Sequence, residues 1–344
     1  MKQDNVNSIK GNVYIDSSAY KDQQQAPGWM WDELNICYAA PITPIMINHN
    51  CFTTSLTPAK IAGSAADLAA FPLSDLTPIN NQVMTAATNQ QNCALDLKFI
   101  GQNRYALTGC INEQSPPLYL QVAIRNPILY AKQLTAELLR SNGIGLQGSI
   151  TEGAMPASSK SLIMANSQPL SVLTKQMLKN SDNQIADAVF MTIGAKYFQQ
   201  PGTWQNGVKA LQAILTKSFP INFANTNIVD GAGISRYNLV TPHQISQLLY
   251  GAYRNPAISN YLLDSLPIAG EDGTLKDRMQ EDKVRGKLHA KTGSMTGISA
   301  LSGYVTSANG KVFIFTVLIN NFLPQDKMRA YQLENKIGNY LYAS

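Results

Sequence analysis

Asn309-Gly310 lies between two apolar runs, and no other feature constrains the fold of this chain as strongly. An Asn-Gly pair between alternating apolar residues is a strong short-range hairpin signal. Residues 298–307 and 311–320 are therefore expected to pair antiparallel, with a third strand at 285–292. A closing helix is expected after Pro324, with Ala330, Leu333, Ile337 and Leu341 on one stripe. Upstream, helices are expected at 169–179, 184–196 and 206–217; in the second, Ile185, Val189, Phe190 and Ile193 recur at helical spacing. Helices, then an antiparallel sheet, then a covering helix make an α+β layer pattern.

The first part of the chain reads differently. A short strand is expected at 11–16, and Ala26-Pro27-Gly28-Trp29 marks a turn. Residues 96–100 and 104–108 form a strand pair across Gly101-Gln102-Asn103, and another apolar run covers 118–124. A helix over 128–142 would place Ile128, Leu129, Leu134, Leu138 and Leu139 on one face; Gly143 and Gly145 end it, and a strand over 146–151 follows. The pattern divides the chain into a β-rich part, residues 1–155, and a second part, residues 156–344.

Hydrophobic residues make up 44% of the 344, enough to bury a substantial core. The net charge of +5 is spread without a Lys/Arg block, so no nucleic-acid partner is expected. His49, His243 and His289 are too scattered for a metal site. Cys37, Cys51, Cys93 and Cys110 fall as two close pairs in sequence. They read either as four buried free thiols or as two local disulfides formed in an oxidising compartment. Three pairings are possible, and spacing does not choose among them; Cys37–Cys51 with Cys93–Cys110 is a guess. Met1-Lys2-Gln3-Asp4-Asn5 carries no apolar signal-peptide core, and no stretch has the apolar length of a transmembrane segment.

Two tripeptides carry chemistry. Ser181-Asp182-Asn183 falls between two expected helices, and Lys291-Thr292-Gly293 ends an expected strand. Singly each has an ordinary reading: Ser181 or Asp182 as a helix N-cap, Lys291 as a solvated strand end. Together, in this order, they are the pattern of serine acyl-transfer enzymes acting on D-Ala-D-Ala and β-lactams. Lys291 and Thr292 would hold the substrate carboxylate as cation and hydroxyl donor. Gly293 would let substrate lie flush against the strand, and the N–H of Ser294 would donate to an oxyanion. Ser181 would pass a proton to the leaving amine, and Asn183 would hold the substrate's backbone amide.

The match extends beyond these motifs. It takes in Gly11-Asn12-Val13, Asn50-Cys51-Phe52, Leu107-Thr108-Gly109-Cys110 and Pro201-Gly202-Thr203-Trp204. It continues through Asp230-Gly231-Ala232-Gly233-Ile234-Ser235-Arg236, Leu266-Pro267-Ile268-Ala269-Gly270 and Asp272-Gly273-Thr274-Leu275. Nearly end to end, the chain resembles the penicillin-binding protein 4 type of D-Ala-D-Ala carboxypeptidase/endopeptidase. The resemblance implies a penicillin-binding/β-lactamase-like transpeptidase domain, an antiparallel sheet covered by helices, incomplete at its N-terminus and preceded by β-rich inserted domains. It implies a peptidoglycan stem peptide as partner, no cofactor, and a periplasmic location. Asp230-Gly231-Ala232-Gly233 reads as a glycine-dependent turn in preference to a catalytic element; Arg236 reads equally as a substrate contact or a local ion pair; Lys287 reads as a solvated face.

The family's third motif, Ser-x-x-Lys on one helix face, supplies nucleophile and base. Its sole match is Ser18-Ala19-Tyr20-Lys21, followed by a polar run that Pro27 stops, and it reads as a decoy. The expectation is an N-terminally truncated enzyme, inactive alone and reacting with β-lactams only if the nucleophile is present. Two alternatives remain: a non-catalytic binder of peptidoglycan peptides, and an enzyme using Ser18 and Lys21 in a rearranged fold.

Overall fold

The computed structural model describes residues 6–90, 92–156, 158–219 and 221–344, so the Met1–Asn5 reading lies outside the described residues. The chain forms two compact units, Met1–Leu162 and Ile163–Ser344.

The first unit is β-rich. Strands β1 (Ser8–Ile9), β2 (Val13–Ile15), β3 (Cys51–Thr57), β4 (Asp67–Leu68), β5 (Ile79–Asn81), β6 (Met84–Ala86), β7 (Leu95–Gly101), β8 (Arg104–Asn112) and β9 (Leu118–Ala123) precede helix α1 (Pro127–Ser141). Strands β10 (Gly145–Leu146) and β11 (Ile150–Glu152) follow it. One sheet has the order β4-β3-β9; in another, β8 pairs with β5, β6 and β7. Leu56, Ala66, Val83, Leu107 and Ile111 close the core between them. The expected strand at 146–151 is instead two short strands, β10 and β11, pairing in parallel with β1 and β2. Between them Asn12 Oδ1 accepts from the Ser149 N–H at 3.0 Å, replacing a ladder bond. In α1, Leu138 is exposed and the buried face runs through Ile128, Ala131 and Leu139, so the expected stripe was too wide. Both cysteine pairs are disulfides, Cys37–Cys51 and Cys93–Cys110, with Cα atoms 5.3 and 5.2 Å apart.

The second unit begins with α2 (Leu170–Asn180), α3 (Asn183–Phe198) and α4 (Trp204–Ser218), close to the expected helices. Helices α5 (Pro242–Arg254) and α6 (Ser259–Ser265) were not anticipated. The start of α5 is nevertheless legible: Thr241 and Gln244 form a reciprocal capping box, with Pro242 at the first helical position. Strands β12 (Leu288–Met295), β13 (Ile298–Thr306) and β14 (Val312–Asn320) make an antiparallel sheet in that order, closed by α7 (Lys327–Ala343). The Asn309-Gly310 hairpin is present, with Gly310 at φ 84°. β12 starts three residues later than expected because Gly286, at φ 68°, and Lys287, bonded to Val284 O, belong to a turn.

Ala269, Leu275, Met279, Val284, Leu288, Ala290, Leu301, Val305 and Phe315 form the core of this unit. α7 lies against the sheet through Ala330, as expected, but also through Glu334, 0% exposed, and Gly338, whereas Leu333 is 49% exposed. Glu334 is drawn in by Arg278, whose Nη2 lies 2.9 Å from Glu334 Oε2, and by the Ser299 hydroxyl at 2.6 Å from Oε1. A charge buried with a bidentate-capable partner and a hydroxyl donor outranks hydrophobic periodicity here.

Cross-links closing loops of 14 and 17 residues restrict the unfolded chain by about 3 kcal/mol each. Replacing either pair by serines should lower the urea midpoint of the first unit, followed by circular dichroism, and leave the transition of the second unit in place.

Candidate active site

The Ser181-Asp182-Asn183 segment is a tight junction between two helices. Ser181 caps the C-terminus of α2 in the left-handed region, φ 56° and ψ 49°. Asp182 is the N-cap of α3, its Oδ1 accepting from the Ile185 N–H at 3.0 Å. Asn183 is the first residue of α3 and is half-buried. The N-cap reading therefore holds for Asp182, while Ser181 turns its hydroxyl elsewhere.

That hydroxyl meets Lys291, 110 positions away on β12: Lys291 Nζ donates to Ser181 Oγ at 2.7 Å and to Thr292 O at 2.8 Å. Both acceptors are neutral oxygens, and burial pulls the ammonium down from 10.5 to about 8. Thr292 Oγ1 and Thr274 Oγ1 lie 2.7 Å apart, so one of their two protons bridges them and the other remains for a ligand. Gly293 is paired in register with Ala300, whose Cβ would lie 3.3 Å from an added methyl.

The direction of the backbone groups follows from strand alternation. Leu288 O accepts from Ala269 N and Ala290 N donates to Pro267 O, both on the side of β12 away from β13. Backbone groups alternate between the two edges of a strand with period two. The N–H groups of Thr292 and Ser294 therefore face that same edge, beyond the 267–269 segment that covers its start. Ser294 itself is exposed.

A second layer holds these parts. Lys179, in the last turn of α2, donates to Leu266 O at 2.6 Å and to Asp272 Oδ2 at 2.5 Å, fixing the 266–274 loop that carries Thr274. Gly273, at φ 55°, has no room for a side chain: a Cβ would lie 2.7 Å from Lys179 O. Asp187 on α3 is fully buried, and its Oδ1 accepts from Gly231 N at 2.7 Å and Ala232 N at 2.9 Å. Asp230 accepts from Gly233 N, Ser235 N and Asn238 Nδ2 at 2.7–2.8 Å. The Asp230-Gly231-Ala232-Gly233 stretch is thus a carboxylate-anchored turn with Gly233 at φ 81°. Arg236, just beyond, donates from Nη1 to Thr296 O at 3.0 Å, next to the end of β12. Lys287 is exposed. Asp187 carries no pattern of its own in the sequence; only its neighbours in space give it a role.

Ser18 and Lys21 lie in the first unit. Ser18 is exposed on a turn, its N–H bonded to Asp16 Oδ1 at 2.9 Å, and the segment is not helical. An i, i+3 pair faces one way only on a helix, so this segment does not align a hydroxyl with an amine in the manner of a Ser-x-x-Lys pair.

The D-Ala-D-Ala carboxypeptidase 3 (S13) family profile matches residues 1–338. A D-alanyl-D-alanine carboxypeptidase DacB of Haemophilus influenzae is 32% identical over 99% of this chain and 73% of its own length. A D-alanyl-D-alanine carboxypeptidase of Actinomadura sp. strain R39 is 29% identical over 92% of this chain, which spans 60% of that relative. The crystal structure of penicillin binding protein 4 (dacB) from H. influenzae superposes with a TM-score of 0.89 at 30% identity, over 100% of this chain and 77% of that one. The same H. influenzae protein complexed with a β-lactam superposes at 0.82 and 29% identity, over 100% of this chain and 76% of that one.

Two outcomes test this geometry. The Lys291 side chain, followed by carbon NMR of its Cε, should titrate near pH 8 and not near 10.5. Between those values the unfolded chain binds the extra proton, so the Lys291 contribution to stability should rise with pH from about 8 towards 10.5. For Asp187, burial and the nearby Asp230 charge push the carboxyl well up, so its charged form is disfavoured. Asp187→Asn should keep the urea midpoint close to wild type. Asp187→Ala should remove the acceptor of the Gly231 and Ala232 N–H groups, at about 1 kcal/mol each.

Proposed function

We propose, from the premise that the chain belongs to the D-Ala-D-Ala carboxypeptidase 3 (S13) family, that its second unit forms the carboxylate-binding and leaving-group side of a serine D-Ala-D-Ala peptidase site acting on peptidoglycan stem peptides. The observation that carries this reading is the 2.7 Å contact between Lys291 Nζ and Ser181 Oγ. It joins two motifs that are separated in sequence and useful only together.

Each group has a role the chemistry requires. The terminal carboxylate of a D-Ala-D-Ala peptide would approach Lys291 and the free proton of the Thr274–Thr292 hydroxyl pair. A buried ammonium with only neutral acceptors gains most when an anion arrives, because the desolvation is already incurred. The penultimate carbonyl would lie along the open edge of β12, where the Ser294 N–H donates to the oxygen as it gains charge. Ser181, hydrogen-bonded to Lys291, stands in a chain from which a proton can pass to the leaving amine of D-alanine. Asn183 would hold the substrate amide. Attack on the carbonyl needs a nucleophilic serine with a basic partner, a role that the non-helical Ser18–Lys21 turn does not fit. In this reading residues 1–155 comprise β-rich inserted domains, and 156–344 the C-terminal part of the transpeptidase-like domain. Two disulfides suit an oxidising compartment, hence a periplasmic location. Among the described residues no helix is long and apolar enough to cross a membrane.

A second reading, binding of stem peptides without turnover, is favoured by one feature: the carboxylate-binding groups belong wholly to the second unit. The two are separated by incubating the chain with a fluorescent penicillin and, in parallel, titrating an acetylated tripeptide ending in D-Ala-D-Ala. Saturable peptide binding, weakened at least about tenfold in Lys291→Met, is expected. A covalent penicillin band with release of D-alanine selects the enzyme; binding with neither selects the binder. Peptide affinity absent in the wild type, or unchanged in Lys291→Met, would remove the site assignment.

A further inference from the structure

Beyond the Ser181-Asp182-Asn183 and Lys291-Thr292-Gly293 motifs, the tip of the β12–β13 hairpin is held from outside the sheet by a ring of contacts through α7. Tyr331 on α7 donates its hydroxyl to Ser294 Oγ at 3.1 Å. Its ring is gripped by two cations: the Arg278 guanidinium lies 4.7 Å from the ring centroid and Lys327 Nζ 5.6 Å. Arg278 is fixed in turn by Glu334 Oε2 at 2.9 Å and Asn335 Oδ1 at 2.6 Å. The other oxygen of Glu334 accepts from the Ser299 hydroxyl, and Ser299 is the direct register partner of Ser294. The chain of contacts Ser294, Tyr331, Arg278, Glu334, Ser299 therefore closes on itself across the strand pair.

We infer that Tyr331 is a positioning residue for the open edge of β12, setting the Ser294 N–H for the substrate carbonyl; this rests on the function proposed above. A hairpin tip, four residues from Met295 to Ile298 here, is the part of a strand pair with fewest ladder bonds to hold it. Donors that act on developing charge must be fixed in place beforehand. The buried Arg278–Glu334 pair supplies the rigid end of the clamp and the phenol its contact with the edge. Cation–π contacts hold the ring even when the hydroxyl is absent, so ring and hydroxyl are separable by substitution.

Tyr331→Phe keeps the ring and removes the hydrogen bond; Ser294→Ala removes the same bond from the other side. Two readouts apply to both variants and to the double variant. The first is amide hydrogen exchange of residues 293–299. The second is affinity for the acetylated D-Ala-D-Ala tripeptide. The expected result is faster exchange at the tip and a two- to tenfold weaker affinity, about what one hydrogen bond supplies. Unlike two independent losses, the double variant should be no worse than either single one. A purely structural role of the ring would leave Tyr331→Phe as wild type in both readouts, and that result overturns the inference. Additive losses in the double variant overturn it as well. If the wild type binds no tripeptide, the proposed function falls, and exchange alone decides: a faster tip in Tyr331→Phe upholds the clamp, an unchanged tip ends it.

Discussion

The second unit is organised around one buried cation. Lys291 is held, largely buried, between Ser181 Oγ and a backbone oxygen, without a carboxylate to neutralise it among the described residues. That arrangement costs free energy, visible in an ammonium pulled down to about 8. It persists because the surrounding structure fixes both sides. The left-handed cap at Ser181 turns the α2–α3 junction toward the sheet, and β12 is fixed by its pairing with β13 and by the core behind Leu288 and Ala290. A cation kept partly unpaired in this way is poised for an anion, which is the property a carboxylate-ending peptide requires.

The rest of the unit distributes its polar groups so that the elements around this site are tied together. Buried and half-buried ionisable groups do structural work at several places around it. Lys179 binds the 266–274 loop to α2, Asp187 and Asp230 fold the turn that carries Arg236, and Glu334 with Arg278 fastens α7 to the hairpin. Losing one partner of such a pair costs more than the pair contributes, because the other is left buried and uncompensated. Each of these groups therefore constrains the geometry more sharply than an apolar contact of the same size would.

The errors of sequence reading fall where these polar contacts override periodicity. The α7 stripe was read through Leu333, but the buried position is Glu334, one residue on, because Arg278 and Ser299 supply the partners that make a buried carboxylate tolerable. The strand over 146–151 was read as continuous; the Asn12 side chain takes a ladder bond and splits it. β12 was placed three residues early, since apolar alternation does not see the left-handed turn at Gly286. Helix α5 was passed over although its capping box is written in Thr241 and Gln244. That signal was available, whereas the others depended on residues far away in the chain.

What the sequence determined by itself was local or motif-borne: the helices from 169 to 217, the Asn309-Gly310 hairpin, the closing helix, and the family resemblance carried by Ser181-Asp182-Asn183 and Lys291-Thr292-Gly293. Each depends on neighbours within a few residues, or on a pattern of residue types in order. Tertiary structure alone decided which cysteines join, that Ser181 meets Lys291 across 110 positions, that Thr274 shares its hydroxyl with Thr292, and that Tyr331 reaches Ser294. These are contacts between distant segments, and their energy exists only after the loops between them have closed. No local periodicity encodes which of many possible closures the core will make favourable.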